Sequence, residues 1–441
     1  MRRPPYNAKR GLMRYGIREV VDVAQRLSEL DPDFRFVGEN IGDPVAKGWM
    51  APDFVRDILV DLIHSNNGKV FGYTHSRGRV ETRKWVAAHA RKFAPSVQLD
   101  YEDVIFSNGV GSGLSCFYRM LASETRIIQP NPGYPAHTST ERFSAGAESI
   151  SYLLDPENGW QPDLEHLEHQ VKSHPEVVGI LLINPNNPTG AVYTADTLET
   201  IIGIAERYGL MLVSDEVYFR LVFNGAEYIH ISELASGRVP LVVMRGVSKD
   251  VPWTGARCGW MEFHNLNLDE DFRIFFESIK KPVMMEVCAT TLPQTALPLI
   301  YEHPGYPEWL RHYNAELEAN SNSIADILGG TPGISVNPIQ GAFYVTVLFD
   351  AGILNGKQSL PISNPAAQEF ISEMVSDPAL PLDKRFTYYL LASTGICVVP
   401  ISDFECPSLG FRVTTLERNA ETRNWCYKTL SDAIVRYSAS G

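Results

Sequence analysis

The strongest constraint on this chain is a set of short, continuously apolar runs at 103–107, 126–129, 177–183, 210–214 and 241–246, spaced by stretches with helical periodicity. A strand with one wet face alternates apolar and polar side chains, whereas an unbroken apolar run marks a strand buried on both faces. Such strands, separated by helices, build a mostly parallel α/β sheet, and these sheets take ligands outside the carboxyl ends of their strands. The helix between two of the runs is bounded by its own chemistry. Thr194 can cap the start and Gly209 suits the left-handed position past the end, which predicts a helix over 195–208. After residue 300 the pattern changes. A long helical stretch at 307–328 precedes a strand-like 343–349, a helix over 365–376 with Asn364 as cap and Pro365 in its first turn, and strand-like 395–400 and 411–416 before a last helix.

This organisation predicts two domains, since 441 residues exceed what one compact core usually supports. Residues 56–314 form the large α/β domain; 315–441, with the segment 1–55 beside them, form a smaller α+β domain. Charge narrows the partners: 39 basic against 52 acidic residues leave a net −13, which disfavours nucleic acid and anionic membrane surfaces. No apolar stretch has the length of a membrane span, and the basic start lacks the apolar core of a secretory signal. Six scattered cysteines (Cys116, Cys258, Cys288, Cys397, Cys406 and Cys426), with no CxxC pair, fit reduced structural thiols. A cytoplasmic protein is expected.

The polar residues that end each apolar run carry the chemistry. After 177–183 comes Asn184-Pro185-Asn186-Asn187-Pro188-Thr189-Gly190; after 210–214, Asp215-Glu216-Val217-Tyr218; after 241–246, Ser248-Lys249, then Trp253, Gly255, Arg257 and Gly259. After 103–107, Asn108-Gly109-Val110-Gly111-Ser112-Gly113 opens a helix. Parallel strands bring these ends to one edge. A glycine-rich helix start suits a phosphate, and Ser112, Ser248 and Arg257 can complete the cup. A buried Asp215 can pair with a protonated ring nitrogen, and a lysine among cations and apolar walls becomes a nucleophile toward carbonyls. Phosphate, ring nitrogen and aldehyde together describe pyridoxal 5′-phosphate.

In NPNNPTGAVY, SDEVY and SKDVPWTGARCGW, in this order, the sequence resembles the class I/II, fold-type I pyridoxal-phosphate aminotransferases, nearest to the bacterial alanine aminotransferase-like branch. The resemblance spans about residues 15–412. It implies a mostly parallel seven-stranded sheet flanked by helices, and a homodimer. It also implies the site. Lys249 forms the Schiff base with the coenzyme and moves the proton. Asp215 grips the pyridine nitrogen; Tyr218 and Asn187 donate to the phenolic oxygen; Tyr134, in NPGYP, stacks on the ring. Gly111, Ser112, Ser248 and Arg257 hold the phosphate, joined across the dimer by the partner's copy of Tyr73, in GYTHSRG. Arg412, in GFRVTTL, clamps the substrate α-carboxylate. Gly42, in the turn-rich 38–44, and Tyr15 and Arg18, in YGIR, line the substrate side. The implied reaction is reciprocal transfer of an amino group between an α-amino acid (alanine, glutamate or aspartate favoured) and a 2-oxo acid.

NPNNPTG alone is a good turn, and Trp253 reads better as packing than as a ligand contact. The glycine turn at 109–113 lacks the full dinucleotide fingerprint, with no acidic residue ending the next strand. His166 and His169, in LEHLEHQ, read as a solvated helix face rather than a metal pair. A lyase or decarboxylase on the same fold is the alternative reaction, because fold does not fix chemistry. A DNA-binding regulator is disfavoured, because only about 55 residues precede the large domain and the chain is acidic. The family's PGS is replaced by Pro400-Ile401-Ser402-Asp403-Phe404 on the substrate side, and no second arginine is assigned to a distal carboxylate.

Overall fold

A computed structural model describes residues 5–65 and 68–441. Its centre is a sheet of eight strands: β1 (Val104–Ser107), β2 (Arg126–Asn131), β3 (Ser151–Asp155), β4 (Gln161–Pro162), β5 (Val177–Ile183), β6 (Met211–Asp215), β7 (Leu241–Gly246) and β8 (Gly259–His264). Their order is β1-β8-β7-β6-β5-β2-β3-β4. Strand β8 runs antiparallel between β1 and β7, and β4 is an antiparallel edge of two residues; the rest are parallel. That edge is one strand more than the seven expected. Two residues containing a proline give no period-two signal to read.

The unbroken apolar runs are explained by burial on both faces. In β5, Ile180 and Leu182 pack into one apolar cluster with the helix Ala195–Tyr208, while Leu181 and Ile183 pack into another with Val110–Arg119 and Glu270–Met285. Strands β6 and β7 divide in the same way. The helix Ala195–Tyr208 begins and ends as its sequence predicts: Thr194 Oγ1 accepts from the Thr197 amide at 3.2 Å, and Gly209 is left-handed at φ 64°.

A second, antiparallel sheet has the order Ile334–Val336, Tyr344–Phe349, Gly410–Thr414, Val399–Pro400. The expected single strand over 395–400 is split. Ile396–Cys397 pairs in parallel with Val37–Gly38, while Val399–Pro400 pairs antiparallel with the strand carrying Arg412. This division lets one short segment tie the N-terminal region to the second sheet. The helix Tyr306–Gly329 packs on this sheet, Tyr313, Leu317, Ile324 and Leu328 sharing one apolar cluster with Val345, Val347, Phe411 and Val413. No helix among the described residues is long and apolar enough to cross a membrane, and all six cysteines are free.

Candidate active site

The carboxyl edge of the large sheet gathers the residues that end its strands. Asp215 closes β6, in register with Ile183 on one side and Met244 on the other. The helix Val110–Arg119 starts hard against this edge because glycines leave room for it. A Cβ at Gly259 would lie 2.6 Å from the Val110 nitrogen, and one at Gly109, which is left-handed at φ 79°, would fall on the Arg257 guanidinium. Arg257 is itself left-handed (φ 47°), a strained conformation for a non-glycine residue, and this turns its side chain back over the helix start. Gly111 is exposed, with nothing within 4 Å of where its Cβ would stand. The Ser112 amide donates to the Gly109 carbonyl at 3.1 Å. The helix start with its open Gly111, the Ser112 and Ser248 hydroxyls at the ends of their elements, and the guanidinium are groups suited to a dianion.

The three asparagines of NPNNPTG divide their work. Asn184 Oδ1 accepts from the Tyr193 amide at 3.0 Å, and Asn186 Oδ1 accepts from the amide and hydroxyl of Thr189 at 3.1 and 2.9 Å. These two hold the turn. Asn187 is left to face Arg412, whose Nη1 donates to its Oδ1 at 3.0 Å. Arg412 Nη2 donates to the Asn40 carbonyl at 2.6 Å, and the guanidinium lies over the rings of Tyr344 (4.2 Å) and Phe404 (5.0 Å). The residue is 1% exposed, its Nε has no partner, and no carboxylate pairs with it among the described residues. A buried cation held only by neutral oxygens and ring faces is well suited to an anionic partner.

Lys249 is partly buried and donates to the Gly42 carbonyl at 2.7 Å. Burial pushes its ammonium down to about 8; the nearby Arg412 and Arg257 cations add to the effect, and the Asp43 and Asp215 carboxylates oppose it. Gly42 has no alternative there, since a Cβ would fall on the Tyr344 hydroxyl. That hydroxyl lies 3.1 Å from the hydroxyl of Tyr218, and burial raises the Tyr218 phenol well above its ordinary value, so it stays a protonated donor. Tyr134 is likewise raised by burial, and its hydroxyl lies 3.1 Å from that of Tyr15.

Asp215 is 4% exposed, and its Oδ1 accepts from the Val217 amide at 3.2 Å. Its Oδ2 lies 3.1 Å from Nε2 of the fully buried His137, whose Nδ1 lies 3.1 Å from the Tyr118 hydroxyl. Gln129 Nε2 donates to that hydroxyl at 3.1 Å. The donor chain has one consistent direction: Gln129 to Tyr118, Tyr118 to His137 Nδ1, and His137 Nε2–H to Asp215. Sequence reasoning missed this relay, along with Tyr344, Asn40 and Asp43. His137 was the findable member, because it lies in the first turn of the helix Pro135–Ala145 that follows strand β2 and Tyr134.

Other expected residues stand at the margin. Tyr73 is 86% exposed, and Arg18 is exposed on the helix Gly16–Leu30 that begins beside Tyr15. Trp253 packs against an apolar cluster, in keeping with its reading as a packing aromatic. The solvated-face reading of His166 needs correction: its Nδ1 accepts from the Leu153 amide at 3.2 Å, so it ties its helix to β3. No cluster of three candidate metal ligands occurs among the described residues.

Comparison with known proteins follows the same lines. The family model "Aminotransferase class I and II" matches residues 44–426. An uncharacterized aminotransferase of Methanocaldococcus jannaschii is 42% identical over 437 residues, 99% of each chain. The glutamate-pyruvate aminotransferase AlaA of Escherichia coli is 30% identical over 344 residues, 77% of this chain and 82% of AlaA. The solved alanine aminotransferase of Pyrococcus furiosus has a TM-score of 0.83 at 26% identity, covering 98% of this chain and 99% of that one.

Proposed function

This chain belongs to the class I and II aminotransferases, and on that premise we propose that it uses pyridoxal 5′-phosphate to move an amino group between a small α-amino acid, alanine or glutamate first, and a 2-oxo acid. The observation that carries the amino-acid reading is Arg412, a buried guanidinium with no acid partner among the described residues, beside a lysine whose proton is loosened to about 8. The names of the similar AlaA and P. furiosus enzymes support the choice of donor. When bound, the coenzyme supplies a carbonyl that condenses with amines and a ring that accepts the electron pair released at the substrate Cα.

The chain's own residues divide the remaining work. The Gly111 amide, the Ser112 and Ser248 hydroxyls and Arg257 would hold the phosphate. The reach of Tyr73 to the phosphate of a partner subunit, and with it a homodimer, is supported by the family resemblance, and the exposure of Tyr73 is compatible with it. The Asp215 carboxylate, aligned by His137, stabilises a protonated ring nitrogen. Tyr218 and Asn187 would donate to the coenzyme's phenolic oxygen, and Tyr134 would pack against its ring. Lys249 would hold the coenzyme's carbonyl carbon and would serve as the base that takes and returns the substrate Cα proton; a lowered affinity for its own proton suits both directions. Arg412 binds the α-carboxylate. Gly42, Tyr15 and Arg18 would bound the substrate side, where the Tyr15 hydroxyl contacts that of Tyr134. The acidic chain, with no membrane-spanning helix among its described residues, fits a cytoplasmic enzyme acting without nucleic acid or membrane.

The test is a half-reaction. Purified holoenzyme is given one amino acid and no oxo acid, and absorption and products are followed. Conversion of the coenzyme to its amino form with one equivalent of 2-oxo acid supports the proposal. Continuous release of ammonia or carbon dioxide, with the coenzyme unconverted, refutes it in favour of a lyase or decarboxylase.

A further inference from the structure

Glu39 is completely buried, yet it lies outside the cluster of residues assigned above. Its carboxylate is held at both oxygens: Lys47 Nζ donates to Oε1 at 2.6 Å, and Tyr427 OH contacts Oε2 at 2.7 Å. The Tyr427 hydroxyl also lies 2.7 Å from the Thr414 carbonyl, so one side chain of the helix Ala420–Ser438 touches both Glu39 and the end of the strand Gly410–Thr414. The main chain of Glu39 is tied down as well. Its amide donates to the Cys397 carbonyl at 2.9 Å, and its carbonyl accepts from the Thr414 amide at 2.9 Å.

The position of this knot gives it consequence. Thr414 lies two residues beyond Arg412 on the same strand, on the same face of the pleat. Asn40, the residue after Glu39, supplies the carbonyl that takes Arg412 Nη2 at 2.6 Å. Two residues further, the Gly42 carbonyl takes Lys249 Nζ at 2.7 Å, and Asp43 Oδ1 takes the Thr254 hydroxyl at 3.1 Å. The segment 39–43 therefore carries consecutive contacts to the guanidinium, the lysine and the loop leading to Arg257. A carboxylate removed from water is retained only where its partners are well placed, and here one of them, Tyr427, and one backbone bond, from the Thr414 amide, tie Glu39 to the strand that carries the guanidinium.

We propose that Glu39 is a positioning residue for Arg412: its carboxylate, fixed between Lys47 and Tyr427, holds the Asn40 carbonyl in place and so sets the guanidinium's reach toward the substrate carboxylate. The inference rests on the reading of Arg412 as the carboxylate clamp. Glu39→Ala removes the side-chain bonds and leaves the main-chain ones. Glu39→Gln can still bridge Lys47 and Tyr427. Tyr427→Phe loses one hydroxyl at constant shape, which keeps the test open if Glu39→Ala does not fold.

A charge-assisted hydrogen bond is worth enough to set an effect of roughly tenfold. In steady-state assays of the holoenzyme, Glu39→Ala is expected to raise KM for the amino acid about tenfold, with kcat within about twofold and coenzyme affinity and spectrum unchanged. Tyr427→Phe should show a smaller rise, and Glu39→Gln should recover most of the loss. Arg412→Gln is measured in parallel. If it raises KM while Glu39→Ala and Tyr427→Phe do not, the link to Glu39 is overturned and the clamp stands. A fall in coenzyme affinity matching the rise in KM also overturns it, since that marks a general structural role. If Arg412→Gln leaves KM unchanged, the clamp reading itself fails.

Discussion

Tyr118→Phe tests the buried relay behind Asp215 at its most distant useful point. The hydroxyl takes one hydrogen bond from Gln129 and gives one to His137. Its loss leaves Gln129 Nε2 with the Ile127 carbonyl at 3.0 Å, so that end stays satisfied. His137 Nδ1 is instead left buried with no donor, a penalty of about 1–3 kcal/mol. The imidazole then has no reason to keep its proton on Nε2, and the other tautomer turns a lone pair toward the Asp215 carboxylate. Transmitted in full, 1–3 kcal/mol corresponds to about 5- to 150-fold in an equilibrium constant. Because the Val217 amide still holds Asp215 Oδ1, the lower end is expected: coenzyme binding about five- to tenfold weaker, read by titrating the apo protein. Tyr152→Phe is the matched control. Its phenol is also fully buried and donates at 2.7 Å to the Leu181 carbonyl, but it has no bond to the relay. It should cost stability without weakening the coenzyme. Equal coenzyme affinity for Tyr118→Phe and the parent protein, or equal losses in both variants, would refute the reasoning.

Other predictions follow from single contacts. In Gly16→Ala the new methyl falls on the Asp403 carboxyl group, itself held by Lys384 at 3.2 Å, so the variant should lose about 1–3 kcal/mol in denaturant titration. Lys249→Ala should keep part of its coenzyme affinity and lose all turnover, measured by equilibrium dialysis and a coupled assay. The neutral amine of Lys249 grows as pH rises through about 8, so capture of pyridoxal phosphate by the apo protein should accelerate up to that pH and then level off. At pH 7 about one Lys249 in ten is neutral, against about one in three thousand for a free lysine, and a rate still climbing steeply at pH 10 would contradict the lowered value. Gly42→Ala should displace the Tyr344 hydroxyl and slow turnover, and Tyr344→Phe in the same chain should restore part of it.

The sheet was legible in the sequence because strands buried on two faces write unbroken apolar runs, and their polar ends pointed to one edge. Lys249, Asp215, Asn187 and Arg257 could be read from such ends. His137, Tyr118 and Gln129 could not be read as a relay, because each belongs to a different element and their pairing depends on how those elements pack. Glu39 and Asn40 were hidden for another reason. They lie in a segment with only two strand residues, whose partner, Ile396–Cys397, is more than 350 positions away. The split of 395–400 was unreadable for the same cause, since one apolar run serves two sheets. His166 shows the opposite error. A polar helix face was assumed to be wet, but its ring accepts a backbone amide from the neighbouring strand.

The central claim is that Lys249 is the residue that holds the coenzyme. Reduction of the holoenzyme with borohydride, followed by proteolysis and mass spectrometry, tests it directly. The account predicts a single stable coenzyme adduct, on the peptide containing Ser248-Lys249, lost when the holoenzyme is first converted by the amino donor. An adduct on any other lysine, or none on Lys249 with coenzyme bound, would contradict it.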